Sequence, residues 1–257
     1  MIPFILSAKV HYAKIEPFDR VTLKSSVRAL VLSVKRDFEG KFVKNAKIIH
    51  LDDKLDKISF QDTIKSIKLL EHMVKINTQI ASTLKQSVNR QEGYFNRISK
   101  LSTVSKTQKD NAYSAYSSIK TQYLGIKEKL LSLKKQLIDL RYKKAKLQDS
   151  IEKKNIFLKN RYLYSLLVRK GDFVGMGTPL MTVDDLSKGK LVLYLDAEEL
   201  DGIKEKRVYI NDQLTDYKIA KIWREADSKF ISSYKTEIYI PVPKKDKFST
   251  LLKVEIK

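Results

Sequence analysis

Residues 165–186 read SLLVRKGDFVGMGTPLMTVDDL, and a fainter copy of this pattern, LSVKRDFEGKFVKNAKIIHLDD, occupies residues 32–53. Superposing the copies places Gly40 on Gly171, Phe42 on Phe173, Val43 on Val174 and Ile49 on Leu180, with an acidic pair closing each. Each copy predicts a turn followed by a strand. Neither copy has enough strands to bury its own face, so we expect the two to pair as halves of one small β-domain.

No proline occurs from residue 18 to residue 178, so nothing in the segment between the copies forbids a long helix. The second half of this segment carries apolar residues at alternating steps of four and three, a heptad seam with Lys144 as the charged exception. The members of this seam are Ala112, Tyr116, Ile119, Tyr123, Ile126, Leu130, Leu133, Leu137, Leu140, Lys144, Leu147 and Ile151. The first half carries a rougher seam through Leu69, Met73, Ile76, Ile80, Leu84, Val88, Phe95 and Ile98.

Two helices are predicted, at about 62–101 and 105–154, with Ser105 as an N-cap and KLSTVSKTQKD as the turn between them. One alternative is a generic coiled coil that dimerises the chain. Two seams joined by a short turn favour an antiparallel hairpin that packs on itself. The outer faces, rich in Lys, Ser and Gln, are expected to be solvated.

After residue 186 the pattern changes to short β-branched and aromatic runs, typical of an antiparallel sheet or small barrel. The runs are KLVLYLD, RVYIND, YKIAKIW, TEIYIPV and LLKVEIK, and AKVHYAKI and RVTLKSSV near the N-terminus are similar. The predicted fold class is therefore α+β, with a long antiparallel helical hairpin inserted between two β half-motifs and a small antiparallel β-barrel after them.

The order of these parts resembles the HlyD-type membrane fusion proteins, also called periplasmic adaptor proteins, over nearly the whole chain. The resemblance is carried by FEGKFVKNAKIIHLDD, KGDFVGMGTPLMTVDDLS and LVLYLDAEELDGIKEKRVYI. It implies N-terminal strands at 1–24, lipoyl-like half-motifs at 25–61 and 157–188, a hairpin at 62–156 and a β-barrel at 189–257. The chain ends at VEIK, which leaves no room for the extra membrane-proximal domain of many pump adaptors.

The same resemblance implies a non-enzymatic adaptor that links an inner-membrane transporter, of the RND or ABC type, to a TolC-like outer-membrane channel. It also implies a homo-oligomer, trimer or hexamer, in the periplasm of a Gram-negative bacterium, associated with the inner membrane. At the hairpin tip it implies channel-docking roles for Arg97, Leu101 and Ser105, although the interval from Leu101 to Ser105 is about three residues shorter than in the family. The alternative is that Arg97 is a solvated helix residue and Leu101 a seam residue.

The chain has 51 Lys and Arg against 30 Asp and Glu, a net charge of +21. Such an excess indicates either an acidic partner or a Lys-rich solvated surface. A basic coiled-coil scaffold or nucleic-acid-binding protein is the alternative function. It is disfavoured because the lysines are diffuse rather than clustered with aromatic residues on one face.

Cofactor and metal sites have little support in the sequence, and none is predicted. There is no cysteine, so disulfides and thiolate chemistry are excluded. The three histidines are scattered, and the pairs Asp52–Asp53 and Asp184–Asp185 are interpreted as strand-end turn residues. Met176 and Met181 are interpreted as core residues rather than copper ligands. A lipoyl or biotinyl carrier is disfavoured because the helical insertion occupies the position of the modified lysine.

The opening IPFILSA, at residues 2–8, is apolar and ends in small residues. It fits either the tail of a secretory signal, cleaved near Ala8, or a first β-strand. No transmembrane anchor or lipidation cysteine accompanies it.

Overall fold

The computed structural model describes residues 9–227, 230, 232–243 and 247–257. The chain divides into two compact units, residues 1–52 with 155–257, and residues 53–154. The second unit is therefore an insertion in the sequence of the first. The segment 2–8, interpreted as a signal tail or a strand, lies outside the described residues.

The first unit is built from antiparallel strands and one short helix. Its strands are β1 (Val10–Lys24), β2 (Ala29–Val34), β3 (Lys41–Leu51), β4 (Asn155–Leu166), β5 (Phe173–Val174), β6 (Pro179–Asp196), β7 (Val208–Ile210), β8 (Gln213–Leu214), β9 (Ile219–Ala226), β10 (Ser233–Ile240) and β11 (Leu251–Ile256). The inserted unit is an antiparallel pair, α1 (Lys54–Ser99) and α2 (Lys106–Lys154), and α3 (Ala197–Leu200) follows β6. The α+β class and the long helical hairpin are thus confirmed, and none of the described helices is long and apolar enough to cross a bilayer.

The strands on either side of the insertion belong to one sheet. Its order is β5-β2-β3-β4-β6-β1-β11-β7-β8, with β10 pairing with β6 and β9. The β3–β4 ladder places His50 opposite Asn155, so the chain leaves and re-enters the sheet at adjacent positions. The ladders of the described residues form an open path. Closure of the predicted barrel is therefore not confirmed, and the lipoyl-like identity of the half-motifs stays a prediction.

The matched positions of the two sequence copies have matching environments. Val43 and Val174 are each 1% exposed, and both Ile49 and Leu180 belong to the same core. Both matched phenylalanines project into solvent. Gly40 and Gly171 adopt φ of 74° and 97°, the left-handed region that favours glycine. The repeat in the sequence therefore reflects a repeated turn-to-strand geometry.

Two apolar clusters fill the first unit, and strands β1 and β6 contribute to both. One cluster gathers residues of β2, β3, β4, β5 and the start of β6, including the fully buried Ile49, Leu163 and Met181. The other joins the start of β1 and the end of β6 to β7, β10 and β11, including Leu191 and Ile238. Every residue in either cluster lies outside 53–154.

Two interpretations of the second half-motif are wrong. Asp184 and Asp185 lie inside β6 rather than at its end, because this strand continues to Asp196. Arg20 donates to both carboxylate oxygens of Asp184, at 2.7 and 2.9 Å, and Arg161 lies 2.9 Å from Asp185. Charged partners on the neighbouring strands allow two carboxylates within a sheet. Met176 is 73% exposed rather than in the core, whereas Met181 is buried as predicted.

The helical unit begins earlier than predicted, at Lys54 instead of about 62. Its first turn is held by polar contacts that a search for apolar periodicity does not detect. Asp56 accepts a 2.5 Å hydrogen bond from Ser150 Oγ and lies 2.9 Å from Lys154 Nζ. Burial alone would raise the pKa of Asp56, but these two partners outweigh it and lower the pKa below its ordinary value. The first turn of α1 is thereby tied to the last turns of α2.

The predicted seam of α2 is confirmed, since its members are buried or half-buried along the helix. The predicted seam of α1 is wrong in its first half. Leu69 is 69% exposed, whereas the adjacent Leu70 is 7% exposed. The observed seam keeps a regular heptad and runs through Thr63, Ile67, Leu70, Val74, Asn77, Ala81, Leu84, Val88, Gln91, Phe95 and Ile98.

Two polar members of this seam, Thr63 and Asn77, donate hydrogen bonds to carbonyl groups of their own helix. Thr63 Oγ1 donates to the Ser59 carbonyl and Asn77 Nδ2 donates to the Met73 carbonyl, each at 2.7 Å. A buried polar group that is hydrogen-bonded to its own helix carries little penalty. Small and polar residues can therefore occupy the interface while the larger apolar residues beside them face outward.

We predict that Leu70→Ala lowers the free energy of unfolding by about 2–5 kcal/mol, because it opens a cavity in the helix–helix seam. Leu55→Ala is the control, since Leu55 is 75% exposed and its truncation should stay within about 0.5 kcal/mol. Urea unfolding followed by circular dichroism at 222 nm measures both. Equal losses for the two variants would contradict the observed register.

Candidate docking site at the hairpin tip

The tip of the hairpin is the short connection between α1 and α2. Helix α1 ends at Ser99 with Lys100 as its C-cap, and α2 begins at Lys106. The Leu101 amide donates to the Ile98 carbonyl at 3.1 Å. This bond forms a tight turn at the end of α1, where the chain leaves the helix. Leu101 is 49% exposed, and Ile98 rather than Leu101 occupies the last seam position of α1.

Ser105 caps α2, as the sequence predicted. Its Oγ accepts from the Gln108 amide at 3.3 Å, and its own amide donates to Gln108 Oε1 at 3.1 Å. This reciprocal pair is a capping box, which satisfies two amides at a helix start. Ser105 therefore has a structural role in the tip, and its side chain remains exposed.

Arg97 lies in the last turn of α1, and its side chain is exposed. A cation there is favoured by the negative end of the helix dipole. A Cβ at Gly93 would lie 3.7 Å from one guanidinium nitrogen of Arg97, so the guanidinium folds back along the helix over Gly93. The exposed guanidinium can pair with a carboxylate or a carbonyl of a partner.

An aromatic cluster packs between the two helices next to the tip. Phe95 contacts Tyr113 with ring centroids 5.4 Å apart and stacks on Tyr116 at 6.3 Å. The Tyr116 hydroxyl donates to Glu92 at 2.9 Å, which links the two helices by a hydrogen bond. Ala112, 5% exposed, lets the helices approach closely beside this cluster. These contacts hold Arg97, Leu101 and Ser105 at the end of a well-packed rod.

The tip is basic. Residues 97–110 contain the cations Arg97, Lys100, Lys106 and Lys109 against one acid, Asp110. An exposed leucine among these cations offers apolar contact and attraction for a negatively charged or carbonyl-lined surface. The arrangement suits protein docking.

His72 is exposed on α1, and within the first unit His11 Nε2 lies 2.6 Å from Glu199 Oε1. No group of three or more potential metal ligands occurs among the described residues. Sequence reasoning missed the Arg20–Asp184 pair, whose guanidinium also lies 4.0 Å from the Tyr164 ring centroid. No signal in the sequence joins residues so far apart in the chain.

No family model and no curated protein sequence matches the chain. The structure, however, is similar to solved structures over almost its whole length. One is MacA from Actinobacillus actinomycetemcomitans, with a TM-score of 0.69, 14% identity and coverage of 97% of this chain and 78% of that chain. A second is a MacA–MexA chimera that contains the Pseudomonas aeruginosa MexA α-hairpin domain, with a TM-score of 0.65, 14% identity and coverage of 97% and 81%.

A third similar structure is the membrane fusion protein Spr0693 from Streptococcus pneumoniae R6. Its TM-score is 0.58 at 10% identity, with coverage of 97% of this chain and 99% of that chain. At these identities the likeness concerns the fold. The coarse fold expected from the sequence resemblance, a long helical hairpin with an antiparallel sheet, is confirmed, and the chain is similar in fold to MacA and to the membrane fusion protein Spr0693.

Proposed function

We propose that the chain is a periplasmic adaptor, a non-enzymatic component that links an inner-membrane transporter of the RND or ABC type to a TolC-like outer-membrane channel. The observation that carries the proposal is the hairpin tip. Arg97, Leu101 and Ser105 stand exposed at the end of a long, well-packed helical rod, far along the chain from any residue of the two apolar clusters. Side chains that are exposed and rigidly supported contribute little to folding and are available to a partner.

The adaptor role assigns separate tasks to three parts of the chain. The helical unit would extend to the channel, and Arg97 and Leu101 would contact the channel's periplasmic end while Ser105 holds the tip in shape. The strands after residue 186 would form the small barrel and face the transporter, and the half-motifs at 25–61 and 157–188 would form the lipoyl-like domain. The chimera of MacA with a MexA hairpin, noted above, is consistent with a hairpin that is an exchangeable part.

In this proposal the protein is a homo-oligomer, a trimer or hexamer around a transport axis. It is located at the periplasmic face of the inner membrane of a Gram-negative bacterium. The transporter supplies the energy, and no chemical step is assigned to the chain. The charge of the tip supports the proposal that docking occurs there. Four cations and one acid within residues 97–110 favour a partner surface with carboxylates or exposed carbonyl oxygens.

The test is complementation in the native host. A strain that lacks the chain should become sensitive to exported compounds or stop secreting the exported substrate, and a plasmid-borne wild-type copy should restore the function. Unchanged sensitivity and secretion in the deletion strain, over a panel of compounds and secreted proteins, would contradict the proposal.

A further inference from the structure

A row of aromatic and charged side chains crosses four neighbouring strands of the first unit. Phe42 lies opposite Tyr162 in the β3–β4 ladder. Tyr162 lies opposite Asp184 in the β4–β6 ladder, and Asp184 lies opposite Arg20 in the β6–β1 ladder. Residues that lie directly opposite each other share one face of a sheet. The next residue of β4, Leu163, is fully buried, so the row lies on the face that points away from the apolar core.

A groove of about 830 Å³ opens over this row. Tyr164, Leu186 and Phe248 line it together with the row. Its volume lies within the range of about 300–1,000 Å³ that small-molecule sites occupy. Phe42 is 53% exposed and Tyr164 is 51% exposed, so both rings are accessible to a ligand. A single exposed ring is common on protein surfaces, but several rings that share a groove with a charged pair are typical of a binding site.

The polar part of the groove is built around a buried carboxylate. The Asp184 side chain is 3% exposed, and Arg20 Nε and Nη2 donate to its two oxygens at 2.7 and 2.9 Å. The guanidinium carbon lies 4.0 Å from the centroid of the Tyr164 ring, a cation–π contact that also orients the guanidinium plane. The Arg20 side chain is nevertheless 48% exposed. Its N–H groups that do not face Asp184 are therefore held in a set orientation and can donate to a ligand.

Hydroxyl groups complete the polar lining. Tyr162 and Tyr164 each carry one, and Ser249, which is exposed, carries a third. The Tyr162 hydroxyl lies 3.9 Å from the position that a Cβ would take at Gly40, a residue that also lines the groove. A hydroxyl both donates and accepts hydrogen bonds. The groove therefore combines aromatic faces with donors and acceptors.

Charge favours a neutral ligand. The carboxylate of Asp184 offsets the charge of Arg20, so an anion would gain little attraction from this pair. Lys41 also lines the groove, but it lies beside Phe42 in β3, and successive side chains of a strand point to opposite faces of the sheet. The face that carries the row is therefore close to neutral.

We propose that this groove binds a neutral oligosaccharide. The faces of a pyranose ring carry C–H groups and its rim carries hydroxyls. One sugar can therefore stack on Phe42 or Tyr164 and accept hydrogen bonds from Arg20. A wholly apolar ligand would cover the guanidinium and the hydroxyls without pairing them, which is unfavourable. The site lies within the first unit, and its occupancy does not depend on the adaptor role.

The size of the row indicates that the ligand is a chain of sugars. From Phe42 in β3 to Arg20 in β1 there are three inter-strand spacings, a distance of about 14 Å at about 4.8 Å per strand. This distance is longer than a single sugar ring. Oligosaccharides are therefore the appropriate probes.

Saturation-transfer difference NMR on the purified protein tests the proposal, with chitohexaose, cellohexaose and maltohexaose as probes. The ring C–H protons of at least one of them should receive the strongest saturation, because these protons pack against the aromatic side chains. Chitohexaose and cellohexaose share a backbone linkage and differ in the acetamido group. Preference for chitohexaose would assign a glycan that carries acetamido groups, and preference for either of the others a plain glucan. The absence of a saturable signal from all three would overturn the inference.

Two variants locate the binding site. Phe42→Ala and Tyr164→Ala should each weaken binding of the preferred hexasaccharide about tenfold or more. Their melting temperatures should stay close to that of the wild type, because both side chains are half-exposed. The matched control is Phe173→Ala, which truncates the equivalent phenylalanine of the other sequence copy, 72% exposed and outside the groove. It should bind as the wild type does. Equal weakening in this control, or unchanged affinity in both groove variants, would overturn the inference.

Discussion

Export should fail when Arg97 and Leu101 are both replaced by aspartate, although the protein still folds. In the complementation assay, the double variant should behave like the deletion strain. Each change places a carboxylate where the tip now presents a cation or an exposed apolar side chain. Opposing a like charge on the proposed partner surface costs several kcal/mol of binding free energy, a loss of affinity of about two or more orders of magnitude.

Folding should be nearly unaffected, because both side chains are exposed at the end of the helix. We expect a stability change well under about 1 kcal/mol, measured as the melting temperature of the purified variant. The control is Arg90→Asp, which makes the same charge change at an exposed position on the shaft of α1 and should export normally. Normal export by the tip variant, at wild-type protein levels, would mean that the tip is not the docking site.

Removing the hairpin should leave a folded β protein that has no adaptor activity. The variant lacks residues 53–154 and joins Asp52 to Asn155 through a short Gly-rich turn. The β3–β4 ladder already brings His50 opposite Asn155, so a turn can close the sheet where the helices leave it. Because no residue of either apolar cluster comes from the deleted segment, the cores should remain intact.

The expected result is a β-type circular dichroism spectrum with a cooperative thermal transition, and complete loss of complementation. Leu163→Ala in the shortened protein is the control for a packed core, since Leu163 is fully buried and its truncation should cost about 2–5 kcal/mol. A random-coil spectrum for the shortened protein would show that the two halves do not fold without the helices. Such a result would also remove the basis for the proposed domain boundaries.

Much of the helical unit could be predicted because its pattern is regular. Every slot of the α2 seam except Lys144 holds an apolar residue, so the period fixes the buried face. In α1 the observed seam includes Thr63, Asn77 and Ala81. Larger apolar residues such as Leu69 lie on the exposed face next to it. A search for the largest apolar side chains therefore chose the wrong face. Because those apolar residues are assigned to the seam, the sequence also predicts polar outer faces for the hairpin.

The helix start at the tip could be predicted from neighbouring residues alone. Ser105 followed three residues later by Gln108 is a helix-start signal that depends only on near neighbours in the chain. The position of Asp184 inside β6 was not predictable, because it depends on Arg20, which lies more than 150 residues away. Long-range partners of this kind are set by the sheet topology. A single sequence contains no record of them.

Site-specific photocrosslinking at the tip tests the adaptor claim most directly. A photoreactive phenylalanine analogue at position 101, in the tagged protein expressed in the native host, would be irradiated in intact cells, and the crosslinked product identified by mass spectrometry. The control places the same residue at Thr121, an exposed site on the shaft of α2. We predict a crosslink to an outer-membrane channel from position 101 and none from position 121. Crosslinks from position 101 only to other copies of the chain, or to no protein, would contradict the docking role.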